Sequence, residues 1–210
     1  TFEFDGKDEI VSAKSAFIPK TRVQVYFLEN NEWFKPLSNL LYKAKNGRIL
    51  PDNDERYSYF SIASLATLPH LFWKPDVIIC NDWQNATVPM IYNQIYKSKE
   101  FYEDIKTVLI VHNIDEHCTY DRSIYDKLGV KLPNKIVGNK INCYEAAIED
   151  VDLLISLDST SKNNTKKLLQ LPLVKANKKK LVSMDIDDEE NPNFDSTASK
   201  INDELTKHFA

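Results

Sequence analysis

Asn81, Asp82, Trp83 and Gln84 stand together in the stretch PDVIICNDWQNATVPMIY, at the point where an aliphatic run ends and a helical pattern begins. Two amides and an acid there can hydrogen-bond polar ligand groups, and the indole adds a broad apolar ring. His112 and Asn113 end the run KTVLIVHN in the same way, and Asp158 follows the aliphatic residues of VDLLISLDST. A single polar strand end is also what a turn or a helix cap requires, so that reading stays open for each cluster taken alone. Several such clusters on one edge shift the balance toward a site.

The elements that must carry these residues follow from the aliphatic runs. Strands are expected at about 23–28, 77–80, 107–111 and 153–157. Their near-continuous apolar character indicates burial on both faces, which is the mark of a parallel sheet. Between them, residues 54–68, 86–98 and 139–150 carry apolar stripes at helical spacing. Alternating strands and helices predict an α/β domain built on an open, mostly parallel Rossmann-like sheet with helices on both faces. In such sheets ligands bind beyond the carboxyl ends of the strands. The four strands are expected to be parallel neighbours that place Asp82 and His112 on one rim.

Bulk properties narrow the function classes. The 210 residues are 42% hydrophobic and 28% charged, with net charge −4, which offers no basic surface for nucleic acid. No run is apolar enough to span a membrane, and the N-terminal TFEFDGKDEI is not a signal peptide. The chain does not begin with Met and is expected to be a fragment. Cys80, Cys118 and Cys143 are widely spaced, which fits reduced cysteines in a cytoplasmic protein rather than a disulfide framework or a zinc site. The four histidines form no H-E-x-x-H pattern, and no metal is expected. With only four glycines, there is no Walker loop and no G-x-G-x-x-G. The charged segment from Lys175 to Ser199 reads as a solvated linker.

Six segments, in order from Thr21 to Pro192, resemble the glycogen and starch synthase family. PDVIICNDWQNATVPMIY is similar to the family's PDVVHAHDWHAGLVPAYL, and TVLIVHNIDEHC to its FTIHNLAYQG. RVQVYFLENNEWFKP resembles VPVYLIDNPEYFDRP, and LPDNDERYSYFSIASL resembles YxDNxERFAFFSRAAL. KINCYEAAIEDVDLLISLDST follows KINFLKAGIVYADKITTVSPT, and KLVSMDIDDEENP follows KLxGILNGIDxxxWNP. The resemblance implies the N-terminal half of a GT-B fold, with residues 1–187 as a partial catalytic domain. Residues 188–210 would then form a linker and the start of a further domain.

The same resemblance implies a retaining glycosyltransferase with a nucleotide-sugar donor and an α-glucan acceptor. ADP-glucose is the favoured donor, and no metal or other cofactor is implied. By match to HDW and IHN, Asp82 and His112 become the catalytic candidates, with Asn113, Trp83, Gln84 and Asn81 as substrate-binding candidates. Trp83 would either pack or stack on a sugar face, and Trp33–Phe34 would add aromatic surface for a glucan. A plastid becomes the expected compartment if the lineage is photosynthetic. Departures from the pattern are equally specific. Asn81 and Gln84 replace two histidines, Glu145 replaces a lysine, Cys118 replaces a glycine, and no K-x-G-G-L donor loop is found. They define the alternative of a noncatalytic glucan-binding or scaffold protein with the same fold.

Overall fold

The computed structural model describes residues 1–34, 42–186 and 193–210. The chain opens with a short hairpin, β1 (Phe2–Phe4) and β2 (Lys7–Glu9), followed by a longer one, β3 (Ser12–Phe17) and β4 (Gln24–Glu29). Helix α1 (Asn53–Thr67) comes next and buries Tyr59, Ile62, Ala63 and Leu65. Its first turn holds Asp54 and Glu55, where the helix dipole favours negative charge, and Pro69 stands just past its end.

Strand β5 (Val77–Asn81) leads through a short turn into α2 (Val88–Ile91), which continues as a wider turn of helix to Tyr96. Strand β6 (Lys106–Val111) precedes β7 (Thr119–Asp121), α3 (Arg122–Lys127), β8 (Lys140–Asn142) and α4 (Cys143–Ala147). The chain then forms β9 (Leu153–Asp158), α5 (Asn164–Leu168), α6 (Pro172–Ala176), β10 (Leu181–Asp185) and α7 (Phe194–Phe209).

Four of these strands make one parallel sheet in the order β10–β9–β6–β5. Its side chains alternate between two apolar layers. Leu109, Val111 and Leu154 join the larger core with α1 and α2, while Val108, Ile110, Leu153, Ile155 and Leu157 face the other way. Ile201, Leu205 and Phe209 of α7 pack on that second layer. Helices therefore cover both faces, as the aliphatic runs predict.

One expected strand belongs elsewhere. Residues 23–28 do not neighbour the parallel sheet; β4 pairs antiparallel with β3, Gln24 opposite Phe17 and Glu29 opposite Ser12. β3 is exposed along its whole length and no residue of β4 is fully buried, and Lys14 bonds Glu29 across the pair. The edge that a fourth strand would have covered is left to β5, whose Ile79 is 42% exposed. The fourth parallel strand is instead β10, inside the segment read as a linker from Lys175. Lys180 anchors that region by donating to the carbonyls of Ile148, Glu149 and Val151 at 3.1, 2.8 and 2.7 Å. The boundary between residues 187 and 188 lies outside the described residues at 187–192.

Candidate functional site

Parallel strands bring their carboxyl ends to one rim, and β5 and β6 end there side by side, with Asn81 opposite Ile110. The ladder runs one residue further, because the Asp82 amide donates to the Ile110 carbonyl at 2.8 Å. Asp82 then takes φ 59° and ψ −171°, a backbone region that side chains other than glycine rarely occupy. This turn swings the chain from β5 into Trp83 and α2.

The carboxylate of Asp82 is held asymmetrically. Its Oδ1 accepts the backbone amides of His112 and Asn113 at 3.1 and 3.3 Å and the Tyr144 hydroxyl at 2.6 Å. Its Oδ2 has no hydrogen bond among the described residues, which leaves that oxygen available to a ligand hydroxyl. The His112 ring is exposed, with Nε2 3.3 Å from Asn81 Oδ1. When Asn81 Oδ1 accepts, the imidazole carries its proton on Nε2.

Asn164, buried between the strand ends, donates to the carbonyls of His112 at 2.9 Å and Leu157 at 2.7 Å. It thereby ties the rim of β6 to that of β9. Asp82, His112, Asn113 and Asn81 are brought together as the sequence predicts, and Gln84 follows one turn on, half-buried.

Trp83 is drawn inward. It is 4% exposed, with Tyr42, Tyr57, His117 and Tyr120 ringed around it at centroid distances of 5.9, 5.1, 5.7 and 6.4 Å. Of the two roles considered for it, packing is the one this environment provides. Trp33 is also committed to packing, stacked on Tyr59 at 4.6 Å, and Phe34 meets the same tyrosine edge-on. Asp158, buried at the end of β9, accepts from the Thr165 amide at 3.0 Å, the Thr165 hydroxyl, and the Ser183 hydroxyl at 2.8 Å. Burial pushes its carboxyl up, but these bonds outweigh it and hold the group below the usual carboxylate range.

Three contributors escaped the sequence reading. Tyr144 lies within the segment 139–150, which scans as an ordinary apolar helix stripe. Burial, followed by the proximity of Cys143, Cys118 and Asp82, holds its phenol well above its ordinary pKa, so it remains a hydrogen-bond donor. Tyr120 donates to the Trp83 carbonyl at 2.7 Å. Cys118 lies 3.5 Å from the Asn113 carbonyl, and it and Cys143 are buried and not joined in a disulfide. No group of three potential metal ligands occurs among the described residues.

Comparison with known proteins places this geometry in context. The family profile for the starch synthase catalytic domain matches residues 3–168. A glycogen synthase of Chlorobium phaeobacteroides is 34% identical over 154 residues, covering 70% of this chain and 31% of that protein. Glycogen synthases of Chlorobium luteolum and Thermosipho melanesiensis are each 31% identical, over 78% and 74% of the chain and 33% and 32% of their own lengths. Among solved structures, the catalytic domain of starch synthase IV from Arabidopsis thaliana, bound to ADP and acarbose, superposes with a TM-score of 0.69. It is 22% identical, and the match covers 87% of this chain and 38% of that one. The chain therefore spans about a third of the length of the relatives it matches.

Proposed function

The chain belongs to the starch synthase catalytic-domain family, and from that premise we propose that the protein carrying it transfers glucose from a nucleotide-glucose to an α-1,4-glucan. ADP-glucose is the favoured donor, supported by the glycogen synthase relatives and by the ADP-bound neighbour of like fold. The observation that carries the reading is the convergence of Asp82, His112 and Asn113 on one strand-end rim within the matched region. Cytoplasmic localisation is part of the same proposal.

Departure of a nucleoside diphosphate leaves positive charge on the anomeric carbon, and fixed polar groups around that carbon lower the barrier. Asp82 presents Oδ2 to a sugar hydroxyl, while its other oxygen is immobilised by two amides and a phenol. His112 and Asn81 add an imidazole and an amide on the same rim, oriented toward each other. These groups bind hydroxyls by hydrogen bonds without having to change protonation. Gln84 and the Asn113 side chain extend the polar rim; Trp83 supports it from below.

The test is incorporation of labelled glucose into glycogen by the natural gene product, with ADP-glucose and UDP-glucose compared. Transfer is expected, faster from ADP-glucose, and His112→Ala and Asp82→Asn should each lower kcat by about a hundredfold. No transfer from either donor would sink the reading. A noncatalytic glucan-binding protein is the second reading, and one contact favours it. Glu145, where the family pattern has lysine, spends its Oε1 on the Leu173 amide at 2.9 Å. Glucan retention without transfer by the same gene product would select it.

A further inference from the structure

The Asp82 turn raises a question that the family pattern does not answer. Its backbone sits at φ 59° and ψ −171° with a side chain that glycine would not need, and such strain persists only where surrounding contacts over-determine it. Those contacts come from three separate elements. The end of β6 supplies two backbone amides, and α4 supplies the Tyr144 hydroxyl. From β7, Tyr120 fixes the next residue through the Trp83 carbonyl at 2.7 Å.

Among the described residues, Tyr144 is the one side chain that hydrogen-bonds the Asp82 carboxylate. Its hydroxyl is 2.6 Å from Oδ1 and 3.1 Å from the Asn113 carbonyl. A phenol has one proton, and the shorter contact to the charged acceptor takes it. The Asn113 carbonyl is approached by the Cys118 thiol at 3.5 Å, so it is not left bare.

We propose that Tyr144 is a positioning residue for the transfer reaction, holding Asp82 so that Oδ2 alone faces the substrate hydroxyl. The inference rests on the functional reading above. With Oδ1 committed to three donors, the carboxylate cannot rotate to exchange its oxygens without breaking all three. The sugar hydroxyl then meets an acceptor whose direction is set before binding, which removes an ordering cost from the reactive complex. Tyr144 itself is fully buried, so it acts on a substrate only through Asp82.

The test compares Tyr144→Phe with Tyr92→Phe in the natural gene product. Tyr92 is equally buried, but its hydroxyl lies between the carbonyls of Tyr102 and Ile105, with its one proton for either, ahead of β6 and at the opposite end of the sheet from the rim. Both variants should melt lower than the parent. Tyr144→Phe should lower kcat about tenfold or more while leaving the donor KM within about twofold. Tyr92→Phe should keep kcat within about twofold. Asp82→Gly completes the set: glycine relieves the backbone strain, which offsets part of the cost of the three lost hydrogen bonds, and the variant should still fold while losing transfer.

An unchanged kcat in Tyr144→Phe, or an equal loss in Tyr92→Phe, overturns the positioning role and leaves the transferase reading standing. A second readout separates the two claims. Maltotriose titrated into labelled parent should shift the Asn81 and His112 resonances, and Tyr144→Phe should weaken that response at least about fivefold. A parent that transfers no glucose but shows these shifts, weakened in Tyr144→Phe, overturns the transfer reading and the role in transfer, and leaves Tyr144 holding Asp82 for sugar binding alone. A parent with neither transfer nor shifts overturns both.

Discussion

At the scale of single residues, the rim separates an acid with an oxygen to spare from an acid wholly spent on structure. Asp82 and Asp158 both end aliphatic strands, yet only Asp82 keeps an oxygen unbonded among the described residues. Asp158 gives both oxygens to Thr165 and Ser183, and so caps α5 and joins β9 to β10. Its folded-state pKa is depressed, so its contribution is complete above the unfolded carboxylate value of about 4 and is lost as pH falls through the folded value. Asp158→Asn should therefore lower stability by about 1–3 kcal/mol at pH 7, and the gap to the parent should close on acidification. Urea melts at pH 7 and at pH 3 measure this, and a gap that widened in acid would contradict the assignment. Trp83, walled in by four aromatic rings, should cost about 3–5 kcal/mol when cut to alanine. A fully folded Trp83→Ala with selectively lost glucan affinity would return the indole to the binding surface.

At the scale of elements, α7 decides whether the second face of the sheet is covered. Ile201, Leu205 and Phe209 lie on one side of this helix and meet Val108, Ile110, Ile155 and Met184. Lys200 also donates to the Asp185 carbonyl at 3.0 Å, joining the helix to the end of β10. Replacing Leu205 by Asp puts a charge against that apolar layer and should lower the melting temperature by several degrees. It should also raise the binding of an apolar dye while the circular dichroism of the remaining helices is retained. A Leu205→Asp protein that melts with the parent and binds no dye would show that α7 is not seated there in solution. The β3–β4 hairpin is a different kind of element. Its Phe17, Val23 and Phe27 are exposed, so it contributes little to the core that positions the rim.

At the scale of the whole molecule, the described residues contain a single parallel sheet with a single strand-end rim, in a chain whose match spans about a third of the length of its relatives. Donor and acceptor must be aligned together, and most of the advantage of orientation disappears when one set of contacts is missing. The 210 residues alone are expected to transfer no glucose from ADP-glucose to glycogen, and robust incorporation of label would refute this. Weak sugar binding should survive on the rim. A maltooligosaccharide should bind with a millimolar Kd, about −4 kcal/mol, and ADP should bind more weakly. Parallel NMR titrations read the order. Tight ADP binding with no sugar response would take Asp82 and His112 out of their assigned roles.

The sequence by itself determined three of the four parallel strands, the helix at 53–67 and the meeting of Asp82 with His112. These are carried by local signals, because an aliphatic run marks a doubly covered strand and parallel strands must end on one side. The tertiary structure decided what those signals leave open. Residues 24–29 turn to β3 because strand propensity does not name a partner, and α7 covers a face that its own periodicity could not identify. Trp83 became a core residue because aromatic neighbours 26–41 positions away in sequence closed around it. Tyr144 reaches Asp82 from 62 residues away, across elements whose docking alone brings a phenol and a carboxylate to 2.6 Å. Strand ends can be read from nearest neighbours along the chain, whereas the choice of which carboxylate oxygen faces a ligand depends on donors that only packing assembles.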